Sequence, residues 1–122
     1  MIHLDTNFLI ALSQRSPRET ALMKRWIQEG REVSVSAVAW AEFLCGPIDD
    51  VSSLAELLGR SLAFEAVDAS QAATLFNAAG RRARSLPDCM IAAVAIRANA
   101  ELATADVRNF IRFMEFGLRL VE

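Results

Sequence analysis

An α/β fold built on a short parallel sheet is what this sequence predicts, on three observations. Apolar or β-branched runs of four or five residues alternate with longer stretches of helical periodicity. Helix-start signals such as Ser16-Pro17-Glu19, Ser36 and Ser70 punctuate the alternation. One late helix, Asp88 to Ala98, is apolar nearly all round and therefore belongs inside the molecule. Such alternation produces right-handed crossovers and a parallel sheet covered on both faces. With 122 residues and 53% hydrophobic content, the chain is expected to be a single domain over 1–122.

Met1 to Asp5 forms the first predicted strand, and Phe8 to Leu12 begins a helix. Ser16, Pro17 and Glu19 supply a capping hydroxyl, a proline at the first helical position and an acid three residues after the cap. The helix they start carries an apolar stripe of Leu22, Met23, Trp26 and Ile27, expected in the core, and Gly30 ends it. Val33 to Val35 suits a strand, and Ser36 caps a helix from Ala37 to about Cys45. Val51 to Leu58 is expected to be helical and Phe64 to Val67 a strand. Ser70 is expected to cap an alanine-rich helix running to about Arg84. Pro87 opens the buried helix, and Glu101 to Thr104 and Leu118 to Val121 complete the strands. In parallel sheets the ligand crevice lies beyond the carboxyl ends of the strands, so functional residues are sought just after strands or at the following helix.

Composition excludes several classes. No apolar run approaches the roughly 20 residues of a membrane helix, and Asp5 inside the first apolar stretch argues against a signal peptide; a cytoplasmic location is expected. The two cysteines, Cys45 and Cys89, are flanked by apolar residues and are expected to be buried, reduced thiols. His3, the only histidine, cannot build a zinc site alone and is expected at an ordinary strand position. The net charge of −2 offers no overall attraction to a polyanion, so nucleic-acid binding must be argued from a site.

Four acids occupy the positions where a site is sought. Asp5 ends the first strand, where a helix cap is an equally good explanation. Glu42 lies in an apolar helix whose neighbours one turn away, Val38, Ala39, Cys45 and Gly46, offer no basic partner. An unpartnered carboxylate in apolar surroundings must shift its pKa or find a counter-ion. Asp88 heads the buried helix, where the helix dipole alone could account for it. Asp106 follows the strand ending at Thr104, and Asn109 is within reach of the same turn.

If the sheet is parallel, these four acids converge on one edge. Two unit charges about 4 Å apart at an effective dielectric near 20 repel by about 4 kcal/mol, so such a cluster persists only when protonated or when it holds hard cations. Oxygen ligands without histidine or thiolate favour magnesium or manganese over zinc. That combination suits in-line attack on a phosphodiester, in which one ion activates water and a second can stabilise the leaving oxygen.

The residues Ile2-His3-Leu4-Asp5-Thr6-Asn7, Ser36 to Glu42 with Phe43-Leu44, Pro87-Asp88-Cys89-Met90-Ile91-Ala92-Ala93, and Ala103-Thr104-Ala105-Asp106 to Asn109-Phe110 resemble, in order, the successive motifs of PIN-domain ribonucleases, especially VapC-type toxins. The resemblance implies a three-layer α/β/α sandwich with a short parallel central sheet. It also implies a magnesium- or manganese-dependent endoribonuclease, a homodimer, and a cognate antitoxin protein that blocks the site. Asp5, Glu42 and Asp88 match the family's three strongest acidic positions and Asp106 its weaker fourth, as catalytic and metal-binding residues. Thr6 matches a residue that supports the first carboxylate by hydrogen bonding, with Asn7 and Asn109 as further supporting residues. Asn109 stands where many relatives carry another acid, which bears on a second metal. The segment Cys45-Gly46-Pro47 to Val51 is compact, which bears on the substrate groove.

Other readings of the sequence are weaker. An aspartyl phosphatase wants a second acid two residues after Asp5, where Asn7 stands. A phospho-acceptor receiver wants paired acids after the first strand and a late lysine, whereas Lys24 is the only lysine. A catalytically inactive PIN-fold module binding RNA or protein is the remaining alternative. Arg81, Arg82 and Arg84 are expected in the last turn of the helix from Ser70, where the dipole favours basic residues, with an RNA-backbone patch as the other explanation. Trp40, Phe43, Phe110, Phe113 and Phe116 are expected in the core and dimer surface.

Overall fold

The computed structural model describes residues 1–46, 51–58 and 61–121. Five strands form one sheet in the order β3-β2-β1-β4-β5: β1 (Ile2–Leu4), β2 (Val33–Ser36), β3 (Ser61–Leu62), β4 (Glu101–Ala103) and β5 (Arg119–Leu120). Every pairing is parallel, with Leu4 opposite Val35 on one side and Ala103 on the other. Six α-helices link them: α1 (Thr6–Ser13), α2 (Pro17–Gln28), α3 (Ala37–Leu44), α4 (Ser52–Leu58), α5 (Ala66–Ala78) and α6 (Leu86–Arg97). From β1 the chain winds outward through β2 to β3, then crosses back to β4 and outward again to β5. Right-handed crossovers in two opposite directions require helices on both faces, and the sandwich follows. The winding reverses between β1 and β4, so the crevice at their carboxyl ends is where a ligand site belongs.

Local chemistry explains the boundaries. Asp5 caps α1, its Oδ1 accepting from the Phe8 N–H at 2.8 Å, and Ser36 caps α3, its Oγ accepting from the Ala39 N–H at 3.1 Å. Both caps sit one residue or less beyond a strand, which turns the chain from sheet to helix at the site. Ser36→Ala should cost about 1 kcal/mol, read as a lower urea midpoint; an unchanged midpoint would mean the cap is dispensable. At α2 the Ser16 hydroxyl makes no capping bond to the backbone, because it donates instead to Glu19 Oε1 at 2.6 Å.

The core gathers Ile2, Leu4, Phe8, Leu9, Trp26, Phe43, Leu75, Leu102, Phe110 and Phe113 with the buried run Ile91 to Ala95 of α6. As expected, α6 is interior on almost every side. In the α2 stripe Met23 and Trp26 are buried, Leu22 only partly so, and Ile27 is 47% exposed. The expectation for Ile27 is therefore corrected. Of the aromatic set, Phe43, Phe110 and Phe113 are buried, while Trp40 and Phe116 pack against the core's edge.

Three further expectations give way. Phe64 to Val67 is not a strand: β3 lies at Ser61–Leu62, and α5 begins at Ala66. Glu65 and Asp68 form a reciprocal capping box, and buried Asp68 accepts from Arg97 Nε of α6 at 2.8 Å, which pins this turn as helix. Ser70 consequently lies inside α5, and exposed Val67 is in its first turn. The far end of α5 is Ala78, not Arg84, because Gly80 adopts φ +87 and the Arg81 N–H closes on the Phe76 carbonyl at 3.0 Å. Arg81, Arg82 and Arg84 therefore lie beyond the helix. Cys45 is exposed, whereas Cys89 is buried as expected; both are free thiols. Pro47 to Asp50 of the compact segment lie outside the described residues. Among the described residues no helix is long and apolar enough to cross a membrane.

Candidate active site

The four acids come from four elements and meet at the carboxyl edge of the sheet. Asp5 follows β1 and is 2% exposed. Besides the Phe8 N–H, it accepts a hydrogen bond at Oδ2 from the hydroxyl of Thr104, the residue that follows β4. The same Thr104 oxygen accepts from the Asp106 N–H at 2.9 Å, and Asp106 Oδ2 accepts from the Asn109 amide at 3.0 Å. One continuous network thus ties the first acid to the fourth across the point where the sheet's winding reverses. Glu42 stands on the exposed side of α3, its Oε1 accepting from the Thr6 hydroxyl at 2.6 Å. Asp88 lies in the first turn of α6 and is partly buried.

Electrostatics shows that these groups share one field. Burial pushes the Asp5 carboxyl up to about 6, and Asp88 and Asp106 push it further in the same direction against the hydrogen bonds from Thr104 and Phe8. Burial also pushes Asp88 up to about 6, reinforced by Glu42 and Asp106 and opposed by the Arg112 guanidinium. Asp5 thus feels Asp88 and Asp106, and Asp88 feels Glu42 and Asp106, which puts the four acids in one electrostatic neighbourhood. Among the described residues, however, no three histidine, cysteine, aspartate or glutamate side chains close tightly enough around one point to enclose a cation.

The donor set still fits a hard divalent ion. It consists of carboxylate oxygens alone. At neutral pH two of its members hold their charge at a cost that either a proton or a cation relieves. Asp5, Glu42, Asp88 and Asp106 are the residues that would hold such an ion.

Two details differ from the sequence reading. Glu42 is not an unpartnered acid in apolar surroundings, since it is exposed and hydrogen-bonded to Thr6. The hydroxyl that supports Asp5 is that of Thr104, and Thr6 supports Glu42 instead. Asn7 is exposed on the first turn of α1, and Asn109 supports Asp106. Thr104 and Arg112 are additions that sequence reasoning missed. Arg112 lies six residues after Asp106, in the second of two 3-10 helices, Val107–Asn109 and Ile111–Phe116, that no signal in the sequence announced. Buried His3 on β1 has both ring nitrogens unpartnered and its pKa lowered to about 4, first by burial, and contributes no ligand.

Several solved structures share this fold. FitAcB from Neisseria gonorrhoeae is similar at 25% identity and TM-score 0.75, covering 100% of this chain and 97% of that one. VapBC2 from Rickettsia felis, solved bound to a DNA fragment from its promoter, is 20% identical with TM-score 0.73, covering 99% and 98%. A toxin–antitoxin complex from Klebsiella pneumoniae is 19% identical with TM-score 0.68, covering 90% of each chain. No curated protein sequence matches the chain. The sequence profile of the PIN domain matches residues 2–114, from the first strand through the turns that carry Asp106, Asn109 and Arg112, and the chain belongs to the PIN domain family.

Proposed function

We propose that this protein is a metal-dependent endoribonuclease that hydrolyses RNA phosphodiesters and serves as the toxin of a toxin–antitoxin pair. The observation that carries the reading is the placement of Asp5, Glu42, Asp88 and Asp106 at the edge where the sheet's winding reverses, with Asp5 and Asp88 raised to about 6, first by burial and then by neighbouring acids. PIN domains are generally nucleases that use divalent metals. Magnesium, or manganese in its place, would supply a Lewis acid that lowers the pKa of an attacking water and screens the substrate phosphate from the acids. The chain's own residues position these oxygens: Thr104 fixes Asp5, Asn109 fixes Asp106, and Thr6 fixes Glu42. Asn109 also makes this corner less negative than a carboxylate would, which favours a single tightly held ion.

The similar structures from Neisseria gonorrhoeae, Rickettsia felis and Klebsiella pneumoniae support a partner protein, the antitoxin, and a homodimer is part of the same reading. The test is incubation of the purified protein with total cellular RNA in magnesium, manganese or chelator. Discrete fragments that require metal support the reading, and intact RNA in all three while metal also fails to bind would leave a catalytically inactive RNA- or protein-binding module.

The hydroxyl on Glu42 gives a milder test. Thr6→Ala frees one glutamate oxygen without touching the core, and groups in that position typically contribute 10–100-fold to activity or metal affinity. Cleavage should fall by about tenfold at limiting manganese and recover partly at high manganese, with the melting temperature unchanged. Wild-type rates at every concentration would show that Glu42 needs no such support.

A further inference from the structure

The protein carries −2 net charge overall, and among the described residues eight exposed cations make no side-chain hydrogen bond or ion pair, Arg15, Lys24 and Arg25 around α2 and five others in the segments next to Asp88 and Asp106. Several arginines are consumed by the fold: Arg31 pairs with Glu101, Arg97 with Asp68 and Glu65, Arg18 with Glu19, and Arg119 bonds Asn99. Arg81, Arg82, Arg84, Arg108 and Arg112 are all exposed, and among the described residues none of their side chains makes a hydrogen bond or ion pair. Arg84 lies four residues before Asp88 and Arg108 two after Asp106, and Arg112 acts on the Asp88 carboxyl through space.

Arg81, Arg82 and Arg84 occupy the link from α5 to α6, ending four residues before Asp88. The helix-dipole explanation for them fails because α5 stops at Ala78. Gly80 and Arg81 are consecutive left-handed residues, at φ +87 and +61, that turn the link away from the helix axis. Ser85 then fixes its far end by donating to the Arg82 carbonyl at 2.7 Å. In the turn after β4, Arg108 lies two residues after Asp106. Arg112 lies over the buried ring of Phe113, 5.4 Å from its centroid, close enough to Asp88 to oppose the rise in its pKa. The aromatic face limits the motion of that guanidinium without using its donors.

We propose that these five arginines form a two-sided rim that grips the RNA backbone on either side of the scissile phosphate. The proposal rests on the nuclease reading of the carboxylate site and adds the residues that bring a polyanion to it. An acidic centre in an acidic protein repels RNA at long range. Guanidinium groups on both flanks reverse that locally, and their planar forks bind phosphate oxygens in pairs. Such contacts hold the strand in register and read no sequence, so base preference has to come from elsewhere in the groove.

The test is the salt dependence of binding of a fluorescein-labelled oligouridylate, followed by anisotropy in chelator so that no cleavage intervenes. A parallel titration uses labelled polyglutamate. Each phosphate contact on a single strand contributes about 0.7 to the slope of log K against log salt. Replacing Arg81, Arg82 and Arg84 together by alanine should therefore lower the slope by about 2, and Arg108→Ala with Arg112→Ala by about 1.4. Arg25→Gln, at the end of α2 that leads to the opposite edge of the sheet, should leave it unchanged. Thermal melting verifies that each variant is folded, which exposed and unpartnered side chains should allow.

Unchanged slopes in both rim variants would overturn the proposal, and if the wild type still cleaves RNA with metal, the nuclease reading survives that result. Loss of polyglutamate binding with RNA binding intact would also overturn it, assigning the arginines to an acidic protein partner. An Arg25→Gln effect as large as that of the rim would overturn it too, by showing diffuse attraction.

Discussion

Asp5→Asn is expected to reduce metal-dependent RNA cleavage by more than about 100-fold, the upper end of what outer supporting groups contribute at metal sites. Asparagine caps a helix as well as aspartate does, so the bond from the Phe8 N–H survives. Its amide can donate to Thr104 Oγ, which then keeps its bond from the Asp106 N–H. What disappears is one negative charge at the junction of β1 and β4. Folded protein with absent cleavage, seen by circular dichroism and gel electrophoresis, is the expected pair of results. A variant that cleaves at the wild-type rate would remove Asp5 from the chemistry and leave it a helix cap.

Asp88→Asn should act in opposite directions on activity and stability. Cleavage is lost, while the metal-free protein becomes more stable at neutral pH, because Asp88 holds its charge there against burial and against Glu42 and Asp106. Discounted for its partial exposure, the gain is about 1–2 kcal/mol, or roughly 5 °C in melting temperature.

The pH dependence follows in sign. Asp5 and Asp88, both raised to about 6 from an ordinary 3.8, contribute stability that is fully present below about pH 3.8 and lost as pH rises through about 6. His3 works the other way: its pKa is lowered to about 4 from 6.5, so the folded state gains as pH rises from 4 to 6.5. In chelator the wild-type melting temperature should therefore fall between pH 4.5 and 7, two carboxyls outweighing one imidazole. In Asp88→Asn one carboxyl and one imidazole nearly cancel, and the curve should be close to flat over that window. A wild-type curve as flat as that of the variant would contradict the assignment of charge strain to Asp88.

Much of this architecture was legible in the sequence because the deciding interactions are local. Asp5 and Ser36 cap their helices with their own side chains, and the apolar run of α6 declares its burial without reference to partners. The four acids could be placed because a parallel sheet forces strand ends to one edge. Where long-range contacts decide, the sequence misled. Val67 suits a strand by propensity, but the Arg97 bridge to Asp68 from α6 makes that turn helical. Glu42 looked isolated because Thr6, its partner, lies 36 residues away, and the bond from Thr104 to Asp5 spans 99. No periodicity within one element reports such pairs. Arg112 escaped for a related reason: it acts on Asp88 of α6 from the 3-10 turns after β4, a long-range pairing that nothing in that stretch announced.

The most direct measurement on the carboxylate centre is a manganese titration followed by electron paramagnetic resonance, in which free Mn(2+) gives a sharp signal that binding broadens. Wild-type protein should deplete the free signal in proportion to its concentration, with magnesium competing, and Asp88→Asn should leave the signal close to that of buffer. Wild-type and Asp88→Asn titrations that superimpose would contradict a metal centre at this edge of the sheet, and with it the nuclease chemistry drawn from it.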